Sequence, residues 1–205
     1  MGRTSDARER ILNAARTLLL SRGYSALGVA EICAAAGVPK GSFYYFFASK
    51  EELALTVVDE HWARQRAEWT RALGGDVPPL RRLRRLHESV EGGLRADRES
   101  CGAVTGCLFG NLALELSTRT ESVRERLREI FDEQVALVAE TVAEARARGE
   151  IGVADPGATA RALVAQLEGR VLFAKLYDDP GRLDALWADS LALLGAEPSP
   201  AAGTA

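Results

Sequence analysis

The chain reads as all-α. Three observations carry that reading. Apolar residues recur every three or four positions, no stretch alternates apolar and polar as a half-buried strand does, and Gly, Pro and Asp mark off segments of helical length. Of the 205 residues, 47% are hydrophobic and 27% charged, which excludes a disordered or collagen-like chain. About nine helices are expected, as a small head of three helices (1–50), a larger helical body (51–195) and a disordered tail (196–205).

The first helix is expected over 6–21, with Ile11, Leu12, Ala15, Leu18 and Leu19 on one face, Ser5 as N-cap and Gly23 as the stop. A second over 29–36 ends at Gly37, and a third over 40–46 follows Pro39. The fourth begins at a capping box, Ser49-Lys50-Glu51-Glu52, and runs through Leu53, Val57, Val58, Trp62 and Trp69 to about residue 73. A linker at 74–79 has two glycines and two prolines. Further helices are expected over 80–95, 106–117, 122–148, 156–177 and 180–194.

The net charge is −3, but it is unevenly spread: the first 50 residues carry +4 and the remainder −7. A basic head on an acidic body suits local phosphate recognition, which depends on nearby charge and not on the mean. No apolar run reaches the ~18 residues of a membrane span, and the first residues show no apolar signal segment, so a cytoplasmic protein without membrane contact is expected. Three cysteines match neither a disulfide framework nor a paired zinc motif. Two histidines without metal-ligand spacing, and no glycine-rich phosphate loop, point to no metal, no cofactor and no nucleotide chemistry. Cys107 with His87 as base is imaginable as a nucleophilic pair, but no orienting third group or oxyanion loop accompanies it, so no enzyme is expected.

Residues 29–47 place two short helices across a glycine turn, the layout of a helix-turn-helix. In such a motif the start of the second helix enters the DNA major groove, here Lys40, Gly41 and Ser42. Phe43 and Phe47, four apart, share a face and pack inward; Tyr44 and Tyr45 then point elsewhere, with hydroxyls able to reach phosphate oxygens. Lys50 adds charge at the start of the fourth helix. Cys33, among alanines, reads as a small core residue.

From here the sequence resembles the TetR/AcrR family of one-component transcriptional regulators. The residues that carry the resemblance are Arg10 to Ala15, Gly23-Tyr24, Val29 to Ile32, Ala36 to Phe47 and Ser49 to Leu53. It implies a repressor that binds a palindromic double-stranded DNA operator as a homodimer and is released by an effector. Matched position by position, Lys40, Gly41, Ser42, Tyr44, Tyr45 and Lys50 would form the DNA surface. Two departures concern operator sequence: Leu27-Gly28 stands where the family often has Thr or Ser, and the aromatic run lacks the family's frequent His at Tyr45 or Phe46.

The last two helices carry apolar stripes, Leu163, Leu167 and Val171 on one, Leu183, Leu186, Trp187 and Leu191 on the other. The resemblance implies that these helices pair with their twins as a four-helix bundle; the same stripes would serve equally as core of a single chain. Trp62, Trp69, Phe109, Phe131 and Phe173 either line a pocket for a small apolar or aromatic effector or form plain core. His87, among leucines, is a core histidine or a pocket group. The stretch Gly106-Cys107-Leu108-Phe109-Gly110-Asn111-Leu112 is similar to a TetR subgroup that includes electrophile-responsive repressors. That likeness implies a sensor role for Cys107, with Lys175 favouring its thiolate, the reactive form; the alternative is an inert buried cysteine. Cys101 is a candidate to resolve an oxidised Cys107.

Overall fold

The computed structural model describes residues 2–196, with side chains from residue 6, so the expected tail falls outside the described residues except for Ala196. Among them are nine α-helices and no strand: α1 (Gly2–Arg22), α2 (Val29–Ala36), α3 (Lys40–Phe46), α4 (Lys50–Leu73), α5 (Pro79–Cys101), α6 (Leu108–Leu116), α7 (Glu121–Ala147), α8 (Pro156–Tyr177) and α9 (Leu186–Leu194). The all-α expectation is met. Three boundaries moved. The first helix begins at Gly2, so Ser5 lies within it; α5 continues to Cys101, so Cys101 ends a helix; and the expected final helix breaks into a 3-10 turn, Pro180–Leu183, followed by α9. At the break Asp179 accepts from the Gly181 N–H at 2.9 Å, a local bond that favours the tight turn over a full helix.

The chain forms two compact units. The first comprises residues 1–65 and 105–130: α1 to α3, the first part of α4, α6 and the start of α7. The head sequence thus shares its unit with α6. Ile11, Ala15 and Leu19, four apart on α1, are buried with Ile32, Cys33 and Phe43. The turn between α2 and α3 is closed by backbone bonds, Gly37 N–H to Ala34 C=O and Val38 N–H to Cys33 C=O, and needs Gly37 at φ 63°. Burial pushes the Cys33 thiol pKa up, against the nearby Lys40 charge. At the start of α4 the Ser49 hydroxyl accepts the Glu52 N–H at 3.0 Å, while the Glu52 carboxylate accepts from Ala48 N–H at 2.7 Å, one residue before the expected partner.

The second unit holds residues 66–104 and 131 onward: the end of α4, α5, most of α7, α8, the 3-10 turn and α9. Asp155 caps α8 through the Gly157 and Ala158 N–H groups, at 2.8 and 3.0 Å. Its far end turns at Asp178, whose φ of 50° is rare for a residue with a Cβ. Arg98 at 3.1 Å and the Val104 N–H at 2.8 Å bind the Asp178 carboxylate and hold that conformation.

The residues expected at the dimer stripe lie as follows. Leu163, Leu167, Val171, Leu183, Leu186 and Leu191 are all buried within the single chain, and Trp187 is half-buried with its ring edge-on to His87 at 5.7 Å. Six of them thus serve as core of this unit within the single chain, one of the two roles the apolar stripes allow. The helix α8 is apolar on two sides: Leu172, Phe173, Leu176 and Tyr177 stand out on its opposite face, and periodicity alone cannot say which side turns inward.

Candidate nucleic-acid interface and sensor region

The helix α3 is only seven residues long, and its orientation rests on two aromatic anchors. Phe43 is fully buried and Phe47 nearly so, with ring centroids 5.8 Å apart. Packing that pair inward leaves Tyr44 56% and Tyr45 74% exposed, with Lys40 and Gly41 exposed and Ser42 partly so. The residues expected to read DNA on α3 are thus open to solvent, Ser42 in part. A Cβ on Gly41 would meet nothing within 4 Å, so nothing inside the chain requires glycine there.

Most of the head's arginines are occupied elsewhere. Arg8 pairs with Glu60 at 3.1 Å, Arg10 with Asp6 at 3.7 Å, and Arg22 with Glu31. Lys40 makes no ion pair among the described residues and projects from the first turn of α3. Lys50 differs from the other expected DNA residues. It is half-buried, its ammonium donates to the Tyr24 and Leu27 carbonyls at 3.1 and 2.9 Å, and it lies 4.0 Å from the Tyr24 ring centre. Two of its three N–H bonds are thus committed within the head.

The residues expected around one sensor pocket divide between the two units. In the first, Phe109 is fully buried and Trp62 nearly so, ring edge to face at 6.1 Å. His61, absent from the sequence reading, packs on Phe109 at 5.2 Å. Burial, with the Arg16 and Arg64 charges, lowers the His61 pKa to about 4, so its imidazole is neutral at pH 7. Asn111 donates to the Thr105 carbonyl at 3.1 Å. Cys107 is the N-cap of α6: half-buried, its sulfur accepts the Gly110 N–H at 3.4 Å.

In the second unit Trp69, Leu83, Leu86, His87, Val138, Leu163, Val164 and Leu167 surround a cavity of about 10 Å³, room for one water. His87 is buried, its Nδ1 has no hydrogen-bond partner, and burial lowers its pKa to about 4. Phe131 is half-buried. Phe173 stands apart from this cavity, half exposed on the outer face of α8 beside Tyr177. Lys175 sits in the last turn of α8, partly exposed.

Glu115 was also passed over as a site residue. It is the only charged residue of α6 and reaches the turn after α1, where its two carboxylate oxygens accept the Tyr24 N–H at 2.7 Å and the Ser25 N–H at 2.5 Å. Burial opposes ionisation, yet the Ser25 and Tyr24 hydrogen bonds prevail and hold its carboxyl pKa below the usual range. The sequence signal was a lone acid in an apolar helix.

A helix-turn-helix with an exposed aromatic reading helix, on an otherwise helical chain, has a recognisable counterpart. The profile described as "Bacterial regulatory proteins, tetR family" matches residues 11–57, and "Tetracyclin repressor-like, C-terminal domain" matches residues 79–189, more than half of the chain. The chain belongs to the TetR family of transcriptional regulators. It is 35% identical over 181 residues to the transcriptional regulator AcuR of Cereibacter sphaeroides, covering 86% of this chain and 80% of that protein. With the repressor DhaR of a Mycobacterium species, identity is 33% over 186 residues, covering 90% and 89%. A solved regulatory protein TetR from Rhodobacter sphaeroides superposes with a TM-score of 0.82 at 32% identity, over 90% of this chain and 96% of that one. As a TetR-family member, this regulator carries a DNA-binding head and is no enzyme. Among the described residues no helix is long and apolar enough to cross a membrane.

Proposed function

We propose that this regulator is a repressor that binds a palindromic operator as a homodimer in the cytoplasm and is released by a small apolar or aromatic effector or by modification of Cys107. The observation that carries the DNA part is the solvent face of α3, where Lys40, Gly41, Ser42, Tyr44 and Tyr45 are presented together over buried Phe43 and Phe47. Tyrosine hydroxyls and a lysine ammonium suit phosphate oxygens, and a side-chain-free Gly41 permits close approach of the DNA backbone. In this reading residues 1–50 are the DNA-binding domain, 51–195 the effector-binding and dimerisation domain, and Lys50 contributes to the DNA surface by positioning the head.

A dimer places two reading helices about 34 Å apart on one face of DNA. The surface that supports pairing is the outer face of α8, with Leu172, Phe173, Leu176 and Tyr177 exposed. The repressor DhaR among the relatives supports the sign of regulation. For release, an effector must prefer the conformation in which the heads are out of register; a preference of about 3 kcal/mol would lower operator affinity roughly a hundredfold. The cavity beside Trp69 and His87 has room for only one water, so effector binding there requires this core to open. Cys107 supports the second route, because a modified thiol loses its cap on α6. The test is a fluorescence-anisotropy titration with duplex DNA from immediately upstream of the gene, in defined salt and excess competitor. Alkylated and untreated protein are run in parallel. Loss of tight binding on alkylation that Cys107→Ser abolishes is the expected result; binding indifferent to alkylation removes the cysteine route.

A further inference from the structure

The turn that joins α1 to α2, residues 23–27, is gripped from both sides by charged side chains. From α6, Glu115 accepts the Tyr24 and Ser25 N–H groups; from the first turn of α4, the Lys50 ammonium donates to the Tyr24 and Leu27 carbonyls. The two grips are complementary, a carboxylate on the donors and an ammonium on the acceptors of one short stretch of backbone. Gly23 permits the close approach: at φ 76°, a Cβ there would lie 2.8 Å from the Glu115 carboxylate. Beyond the turn, the N-cap position of α2 is Gly28, which has no side chain to cap the helix. With no side-chain cap of its own, α2 follows directly from the held turn, while Ile32 and Cys33 pack it into the head's core. From α2 the closed Gly37 turn leads directly to the reading helix α3.

We propose that Glu115 and Lys50 form a clasp on the 23–27 turn through which α6 positions the DNA-reading helices, with Glu115 the residue that couples them. This rests on the operator-binding reading above. Glu115 lies at one end of α6 and the Cys107 cap at the other, about 12 Å along a rigid nine-residue helix. A shift of α6 by about 1 Å lengthens N–H···O bonds of 2.5 and 2.7 Å past hydrogen-bonding range, so the clasp converts a small displacement into a released turn. Glu115 is a positioning residue; it contacts no DNA in this account.

The experiment compares the full-length chain with Glu115→Gln, which keeps the shape but replaces one acceptor oxygen by a donor, and with Gly23→Ala, which keeps both charges but crowds the carboxylate. The DNA probe is a duplex selected by the unsubstituted protein from a random-sequence pool. Amide exchange at Tyr24 and Ser25 is followed by NMR without DNA, and the operator Kd is measured well below every melting temperature. Both variants are expected to lose amide protection at Tyr24 and Ser25 and to weaken operator binding about tenfold. Amides that stay protected in Glu115→Gln would overturn the clasp. So would lost protection with an unchanged Kd, because Glu115 would then only stabilise the fold. A pool that fails to enrich any sequence overturns instead the operator reading on which the clasp depends.

Discussion

The two buried histidines make stability depend on pH in a way that can be worked out in advance. Both His61 and His87 have folded-state pKa values near 4, against 6.5 when exposed, and burial is the first cause for each. A base whose folded pKa is depressed binds its proton more readily when unfolded. Stability is therefore intact above pH 6.5 and is lost as pH falls towards 4. The complete loss is about 3 kcal/mol for each histidine; between pH 7.5 and pH 5 the share reached is about 2 kcal/mol each, or about 4 for the pair. That is a large fraction of the ~5–15 kcal/mol typical of a folded domain. Glu115 and Asp155, whose carboxyl pKa values are lowered, also cost stability on acidification, but they are common to every variant and cancel in the comparison. Urea unfolding at pH 7.5, 6 and 5 is the assay, with His87→Leu and His61→Leu beside the unsubstituted chain. Each variant should lose about 2 kcal/mol less than the parent over that interval. Equal pH dependence in parent and variants would show that neither imidazole is held neutral by burial, and the reasoning would fail.

Other consequences follow from particular contacts. Phe109→Ala empties a fully buried ring site against Trp62 and His61 and should cost about 3–5 kcal/mol of stability by denaturant titration. Gly41→Ala should raise the melting temperature, since alanine favours a helix by about 0.5–1 kcal/mol; if DNA approaches α3 as proposed, it should also weaken operator binding, because the added methyl points into open space. Lys50→Met should weaken operator binding with the salt slope preserved if the ammonium acts through the turn; a slope lowered by about one would mark a direct phosphate contact instead. Leu176→Glu, on the 69%-exposed position of α8, should shift sedimentation from dimer to monomer without lowering the urea midpoint of the pH 7.5 monomer.

What could be read in the sequence follows from the range of the interactions involved. The α2–α3 turn was legible because its determinants are local: Gly37, Pro39 and the Phe43–Phe47 spacing act within a dozen residues. The start of α4 was legible for the same reason, with Glu52 bonding one residue earlier than expected. Long helices with clear capping and punctuation came out within a few residues, whereas α5 outran its expected end because nothing stops it before Gly102. The body was least legible where two apolar faces compete. Leu167 and Val171 lie on the same helix as Leu172 and Leu176, and only the packed chain decides that the first pair is core and the second is surface. The aromatics proposed for a pocket were alike in the sequence for a related reason: Phe109 and Phe173 are both aromatic, yet one is fully buried in the first unit and the other half exposed in the second. Glu115 and Lys50 were illegible as a pair because their shared target is a backbone turn 91 and 26 residues away, respectively, and backbone acceptors and donors leave no mark in a sequence.

The most direct test of the account is whether the exposed face of α3 reads DNA. The purified chain would be titrated by fluorescence anisotropy against the duplex upstream of its gene and against its best random-pool sequence, alongside Lys40→Ala and Tyr45→Ala. The account predicts tight, competitor-resistant binding to a palindrome, weakened in both variants while their melting temperatures stay within a few degrees of the parent. Binding that both variants retain in full, or no sequence preference in either duplex, would contradict it.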